Sequence, residues 1–463
     1  MIGSVGAQRN MNLSKRTVVE TLDVAASLEE PVRKAKPARS ILALALRLCV
    51  VIVFVFAAYF AVRQGVAAYY FSKNDPRDVE LAMRWDPQNP QYADALAHLV
   101  QFYSEDPDPN RSVRLCATAT RLSPNDAHCW ADLGSAYDRA GRPNDAIRAF
   151  ETARRLFPNS PDVNWRLANF YVRANQANDA LPLLKNVLAA GGVENKQVFS
   201  LVTGAGVDVS DVLSQMIPAR APVLVEYLNF QLASGNLFAA GEVWSNLLKS
   251  ELHFRVADSF LYFDALLRGR EIDTAAAVWR ELDARFPAEI RPRISGSNLV
   301  TNGDFDYPIL NGGFDWRVIP TQGAPVRIIA ADKVRPSGLL RIDFDGSRNP
   351  EYGAVFQFVQ VQPGAYEFSA EARTYGITTD SGPRFQVFDD YDLTKLFVST
   401  PNQVGSSDWS RIKLTFRTGP ETRLIVVRIA RPASGKFDNK ISGTFWVRHV
   451  ALREQKGAQP TVQ

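Results

Sequence analysis

Residues 130–158 read WADLGSAYDRAGRPNDAIRAFETARRLFP, and their spacing decides the fold of the first half of the chain. Trp130, Leu133 and Tyr137 recur at helical spacing, with Gly134 beside them where a second helix must approach closely. Gly141 and Pro143 break that helix. Ala146, Phe150 and Ala153 then set the stripe of a second helix, which stops at Pro158 because proline cannot continue it.

The order tryptophan, Leu-Gly, tyrosine, alanine, phenylalanine, alanine, proline resembles the tetratricopeptide repeat (TPR). The pattern resumes 34 residues on, at Asn164, Leu167, Ala168 and Tyr171, with Ala180, Leu184 and Val187 behind it. Upstream, Pro87 and Pro124 lie 37 apart, one repeat with a longer turn around DPDPN at 106–110, carrying Leu96, Ala97, Cys116 and Ala119. Downstream, Tyr227, Gly235, Ala240 and Trp244 form one degenerate copy, and Phe263, Gly269, Ala275, Trp279 and Pro287 another. Residues 193–220 keep apolar helical spacing without the motif, Gly204 and Gly206 marking a turn. Five helix pairs plus irregular helices are expected over 63–296, an all-α solenoid whose first helices line a concave groove for an extended protein or peptide partner.

Counted from the motif, Asp94, His98, Gln101, Ala131, Ser135, Asp138, Trp165, Asn169, Val172 and Arg173 should face that groove. Trp165 either anchors a partner or packs on the next helix. Cys116 takes the stripe position held elsewhere by Phe150 and reads as a small buried hydrophobe. A disulfide to Cys129 is left to geometry.

Residues 41–62, ILALALRLCVVIVFVFAAYFAV, rise ~33 Å as a helix, enough for a bilayer core. Fourteen of these 22 are Leu, Ile, Val or Phe, which outweighs Arg47 at the seventh position. We read an uncleaved transmembrane helix after a basic tail (1–40). Arg33, Lys34, Lys36 and Arg39 precede the span and Arg63, Lys73 and Arg77 follow it. That bias keeps the amino end cytoplasmic and puts the bulk outside the cytosol, in the periplasm of a bacterium.

Composition sets the remaining limits. The 463 residues carry 53 Lys and Arg against 49 Asp and Glu, a net +4 without a long like-charge block, so nucleic acid is not the expected partner. Three cysteines and four histidines are scattered without metal-ligand spacing, so neither a metal nor a cofactor is expected. No P-loop, nucleophile elbow, H-E-x-x-H or dinucleotide fingerprint occurs.

From Ser297 the period changes to two, and eight runs starting near 324, 338, 353, 364, 383, 409, 422 and 443 are bounded by Gly, Pro, Asn and Asp. They predict an all-β sandwich of jelly-roll type over 297–453, followed by a tail at 454–463. NLVTNGDFDYPILNGGFDWRV (298–318), VQPGAYEFSAEART (361–374) and GTFWVRHVALRE (443–454) together resemble carbohydrate-binding modules of the jelly-roll kind. Such modules often hold calcium through an acidic residue of the last strand, where this chain has Arg448 and His449. The loop DFDGSRN, with Asp343 and Asp345, lacks the closing bidentate glutamate and reads as a polar turn.

Strand parity puts Ile412, Leu414 and Phe416 inward and Trp409 on the other face with Arg411, Lys413 and Thr415. Glu371, Arg373, Gln386 and Phe388 also point outward, and with Trp409 they have the chemistry of a sugar site, an aromatic platform flanked by hydrogen-bonding planar groups. The alternative is a sheet face that packs on the helical array. Asp389, Asp390 and Asp392 in FDDYD read as a solvated turn rather than a carboxylate pair. The chain is thus expected to be a non-catalytic membrane-anchored adaptor for a protein and a glycan, in exopolysaccharide or cell-envelope assembly. The competing readings are a polysaccharide hydrolase or lyase, and a purely structural scaffold.

Overall fold

The structure, a computed structural model, describes residues 38–102, 108–330 and 337–455, in two compact units, 1–88 and 89–463. The basic tail at Arg33, Lys34 and Lys36, the first two residues of the DPDPN turn and the last eight residues lie outside the described residues.

In the first unit, helix α1 (Ala38–Phe71) is longer than the span read from sequence, and over Ala43–Phe71 it is long and apolar enough to cross a membrane. Its large side chains from Leu44 to Phe60 are exposed, the opposite of a soluble core helix. Tyr69 and Tyr70 close its far end with the Lys73 ammonium about 5 Å over both rings, the aromatic and cationic composition of a membrane boundary. The amphipathic α2 (Pro76–Trp85) is capped by Asp75 and tied back by a hydrogen bond from Arg63 to the Trp85 carbonyl.

The second unit begins with the solenoid. Its first three helix pairs are α3 (Pro90–Phe102) with α4 (Pro109–Leu122), α5 (Ala127–Arg139) with α6 (Pro143–Leu156), and α7 (Pro161–Arg173) with α8 (Ala177–Ala190). The motif-free stretch forms α9 (Asn195–Gly204) and a short α10 (Val209–Asp211) that runs into a π-turn, Val212–Met216. Two more pairs follow, α11 (Ala221–Ala233) with α12 (Leu237–Lys249), and α13 (Phe260–Arg268) with α14 (Ile272–Arg285), before the final turn α15 (Pro287–Ile290). The close approach read at Gly134 is explicit, since a Cβ there would lie 2.8 Å from the Phe150 ring. Gly141 and, 34 residues later, Asn175 take the positive φ (70° and 60°) that turns each first helix into its second.

Among the described residues the sandwich comprises ten strands: β1 (Arg317–Val318), β2 (Val326–Ile329), β3 (Leu339–Asp345), β4 (Tyr352–Gln360), β5 (Gly364–Ile377), β6 (Arg384–Asp389), β7 (Phe397–Ser399), β8 (Gly405–Thr418), β9 (Leu424–Arg431) and β10 (Ser442–Glu454). The eight runs read from sequence are all present, and the short β1 and β7 are additional. Two antiparallel sheets result, β1-β4-β9-β6-β7 and β2-β3-β10-β5-β8, in which β3 to β10 follow the double Greek key of a jelly roll. Trp316, Phe305, Phe368, Phe385 and Phe445 fill the space between them. Arg431 is wholly buried and donates to Asn349 Oδ1 (2.6 Å), Pro350 O (2.7 Å) and Ser381 O (2.9 Å), which spares its charge an unpaired interior position.

Solenoid and sandwich share one apolar cluster. Phe314 lies edge-on to Phe263 (ring centroids 4.9 Å apart) and to Trp279 (6.1 Å), and Leu424 of β9 belongs to the same cluster. Gly312 and Gly313 let the chain touch Phe260 and Trp279, where a Cβ would come within 2.2 and 2.0 Å of the rings. Around this contact Arg317 forms a two-pronged pair with Asp264 (2.6 and 2.9 Å), and Tyr391 donates to Leu267 O (2.5 Å).

Two substitutions test this packing. Gly134→Val should cost about 1–3 kcal/mol through overpacking against Phe150, read by chemical denaturation in detergent. Phe314→Ala should cost about 3–5 kcal/mol and separate the unfolding of solenoid and sandwich, visible by calorimetry as two transitions where the parent shows one.

Candidate functional site

On the solenoid, His98, Gln101, Ser135, Asp138, Trp165, Asn169 and Arg173 line a single open cavity of about 500 Å³, walled by α3, α5 and α7. Seven of the ten groove positions named from sequence thus come together, while Val172 packs against the apolar core. Asp94 stands behind them, beside Asp132 and His98. Ala131 does not face the groove; it is completely buried with Ala127, Ala153 and Val163, because α6 and α7 both close on that side of α5. Trp165 packs on the helical core and also lines the cavity.

The centre of the cavity was missed. Asp132, between Ala131, read as groove-facing, and Leu133 of the apolar stripe, accepts from His98 Nε2 (3.2 Å) and from Arg166 (2.5 Å), whose Nε also binds Asp162 (3.0 Å). His98, Asp132 and Arg166 are spaced 34 residues apart, as are His128 and Asp162, which pair at 3.4 Å. Arg173 extends the ladder to Asp138 (2.5 Å). The signal available in sequence was polar identity at the repeat period, a feature that apolar pattern matching ignores.

The electrostatics follow from burial and crowding. Burial, then the neighbouring Asp132 carboxylate, push the Asp94 pKa up to about 7 against the opposing pull of His98 and Arg166. Burial would raise Asp132 as well, yet the His98 hydrogen bond and the Arg166 charge hold it below the usual carboxylate range. His98 is raised by its bond to Asp132, which outweighs burial. Cys116 and Cys129 are both buried and free; burial and nearby aspartates push the Cys129 thiol up to about 12 and Cys116 higher still, so both stay protonated and unreactive.

In the sandwich the five sugar-site candidates divide. Glu371 and Arg373 lie on β5 and Trp409 on β8, in one sheet; Gln386 and Phe388 lie on β6, in the other. The outward faces of two packed sheets diverge, so the five residues do not form one site. Gln386 is buried and accepts from Arg428 Nε (2.7 Å), whose guanidinium also covers Phe388 at 4.6 Å. The first group is coherent: Arg448 of β10 lies 4.2 Å from the centroid of the Trp409 ring and pairs with Glu371 at 2.9 Å. Parity also puts Trp446 on this face, a residue not singled out from sequence, directly opposite Arg341 and Arg373 in the register.

The acidic loops are structural. Asp389 accepts from the amides of Tyr391 and Asp392, and Asp392 from Thr394, closing the FDDYD turn. Asp345 accepts from the Ser347 amide, and Asp343 from Arg341 and Thr444. Arg448 and His449 have carboxylate partners of their own, Glu371 and Asp304. Among the described residues, no group of three or more His, Cys, Asp or Glu is placed to hold a metal ion.

The pH dependence of the groove has a definite sign. Asp94 and His98 both hold their protons more tightly when folded, so the stability they contribute is present at low pH; that of Asp94 is lost as pH rises through about 7, and that of His98 as pH rises above the ordinary histidine value of 6.5. Asp132 acts in the opposite sense, losing its contribution as pH falls below the ordinary carboxylate value of 3.8. Asp94→Asn should therefore raise the melting temperature at pH 8 and leave it nearly unchanged at pH 5, measured by differential scanning fluorimetry against the parent.

Residues 139–203 match the tetratricopeptide repeat family. No curated protein matches the chain. Among solved structures it is similar to the type IV pilus biogenesis factor PilW at 18% identity, over 49% of this chain and 93% of that one, with a TM-score of 0.26. It is similar to the Cut9-Hcn1 hetero-tetramer of APC/C at 16% identity, over 44% and 42%, with a TM-score of 0.29, and to a CBM4 structure at 14% identity, over 34% and 99%, with a TM-score of 0.25. At these identities and scores none of the three bears on what this chain binds. The chain is one that carries the tetratricopeptide repeat, over 139–203 within its helical array.

Proposed function

We propose that this protein is a non-catalytic, membrane-anchored adaptor. Its helical groove grips an extended segment of a protein partner, and its β-sandwich engages a glycan. The amino end stays cytoplasmic and the folded bulk lies in the periplasm, where exopolysaccharide or other envelope glycan is exported or assembled. One observation carries the reading: polar side chains from three successive first helices converge on one open cavity, with Trp165 at its wall. Stacked repeats use such a surface to hold extended segments. Support for the membrane anchor comes from the exposed apolar face of α1, and support for the glycan from Trp409 with Glu371 and Arg373 on one sheet.

A second reading has its own support. The shared cluster around Phe314 would suit a sandwich that merely caps and orients the groove. Binding separates the two. Full-length protein in detergent should retain glycan extracted from its host envelope, and Trp409→Ala should weaken that retention roughly tenfold. Loss of all glycan retention by the parent would leave the cap reading standing. For the groove, a photo-cross-linker at Asn169 should give a discrete protein adduct in host membranes that Arg166→Ala abolishes. Labelling unaffected by that substitution would count against the groove.

A further inference from the structure

The outward face of the sheet β2-β3-β10-β5-β8 is built around guanidinium groups. In the paired register, Arg327 stands opposite Arg341, Arg341 opposite Trp446, and Trp446 opposite Arg373, a row across four strands. The Arg341 and Arg373 guanidiniums lie 5.6 and 5.5 Å from the centroid of Trp446, one from each neighbouring strand. One row further along, Arg448 covers Trp409 and Arg411 stands opposite Glu371. Arg and Lys outnumber Asp and Glu on the outward positions of this face. Arg341 is held by Asp343 on its own strand (2.7 Å) and Arg373 faces Asp408 (3.7 Å), so both guanidiniums are kept in place beside Trp446. Nor is this a buried surface: Arg373, Arg411 and Lys413 pair with Asp408 and Glu367 in solvent, and their side chains are 46, 57 and 51% exposed.

This chemistry narrows the ligand. A neutral pyranose stacks on a bare aromatic face, but the rings of Trp409 and Trp446 already have guanidiniums over them. A compact inorganic polyanion would use the guanidiniums and leave the exposed Tyr375 without a partner. A uronic acid satisfies both, offering a planar carboxylate that matches the guanidinium fork and a C–H face for the aromatic edges. Strands are spaced ~4.8 Å apart, so Arg341 and Arg373, two strands apart, are separated by roughly 10 Å, the scale of a disaccharide. We propose that this sheet face, centred on Trp446 between Arg341 and Arg373, binds a carboxylate-bearing polysaccharide. The proposal rests on the glycan reading above and names its substrate class.

The test compares three probes on the full-length protein in a neutral detergent by biolayer interferometry: polygalacturonate, its fully methyl-esterified form, and inorganic polyphosphate. Polygalacturonate should bind, with affinity falling as salt rises, and the other two should bind at least tenfold more weakly. Arg341→Gln and Arg373→Gln should each weaken binding about fivefold to tenfold, and the double variant should abolish it, with melting temperatures unchanged. Equal binding of the methyl ester would overturn the anionic assignment while leaving glycan binding intact. Equal binding of polyphosphate would reduce the site to bare charge and overturn the proposal. Failure of both polysaccharides together with failure to retain host envelope glycan would remove the glycan reading itself, whereas retention of a host glycan with no affinity for polygalacturonate would remove only the inference drawn here. Full affinity in the double variant would displace the site from this face.

Discussion

Phe314 wedged against Phe263 and Trp279 is the contact on which the arrangement of the second unit depends. A solenoid ends with an apolar stripe that has no further repeat to cover it. Here the β-sandwich supplies the cover: the loop before β1 presses two glycines against the rings of α13 and α14, and Arg317 fastens the contact to Asp264. One apolar cluster thus runs from Ala146 in α6 to Leu424 in β9, and the helical groove and the jelly roll share it as a common foundation.

The same economy appears in the groove. Stacking of near-identical helix pairs repeats every position at the helical-repeat period, so polar residues at that spacing meet as neighbours. Asp132 is held ionised despite burial because the next repeats on either side bring it a histidine and an arginine. Asp94 receives no comparable compensation and keeps its proton up to about neutral pH. A buried charge of this kind is costly to leave single and gains little when paired, so the ladder contributes geometric definition of the cavity more than stability.

The sandwich treats its two outer faces differently. One sheet places Gln360 and Arg423 against Asp273 of α14 and buries Gln386 beneath Arg428, so its polar groups are consumed internally. The other leaves a cationic, aromatic surface in solvent. The division follows from jelly-roll connectivity, which sends β5 and β6 to opposite sheets and so separates β5 and β8 from β6 however close they stand in sequence.

Periodicity alone determined the classes of structure. The 34-residue recurrence of small and aromatic residues specified helix pairs, unbroken apolar character specified the long α1, and alternation specified eight strands, because each depends on neighbours along the chain. Seven of the ten groove positions named from sequence line the cavity for the same reason, as they repeat with the motif. Asp132 was not, since its place beside Ala131 and Leu133 looks like core until α3 and α7 bring His98 and Arg166 to it. Strand alternation identified which residues of β5, β6 and β8 alternate in facing but could not pair strands far apart in the chain, so only the tertiary structure split Gln386 and Phe388 from Trp409 and brought Trp446 between two arginines. Local side-chain period is written in the order of residues; which distant faces come together is settled by which apolar surfaces bury one another.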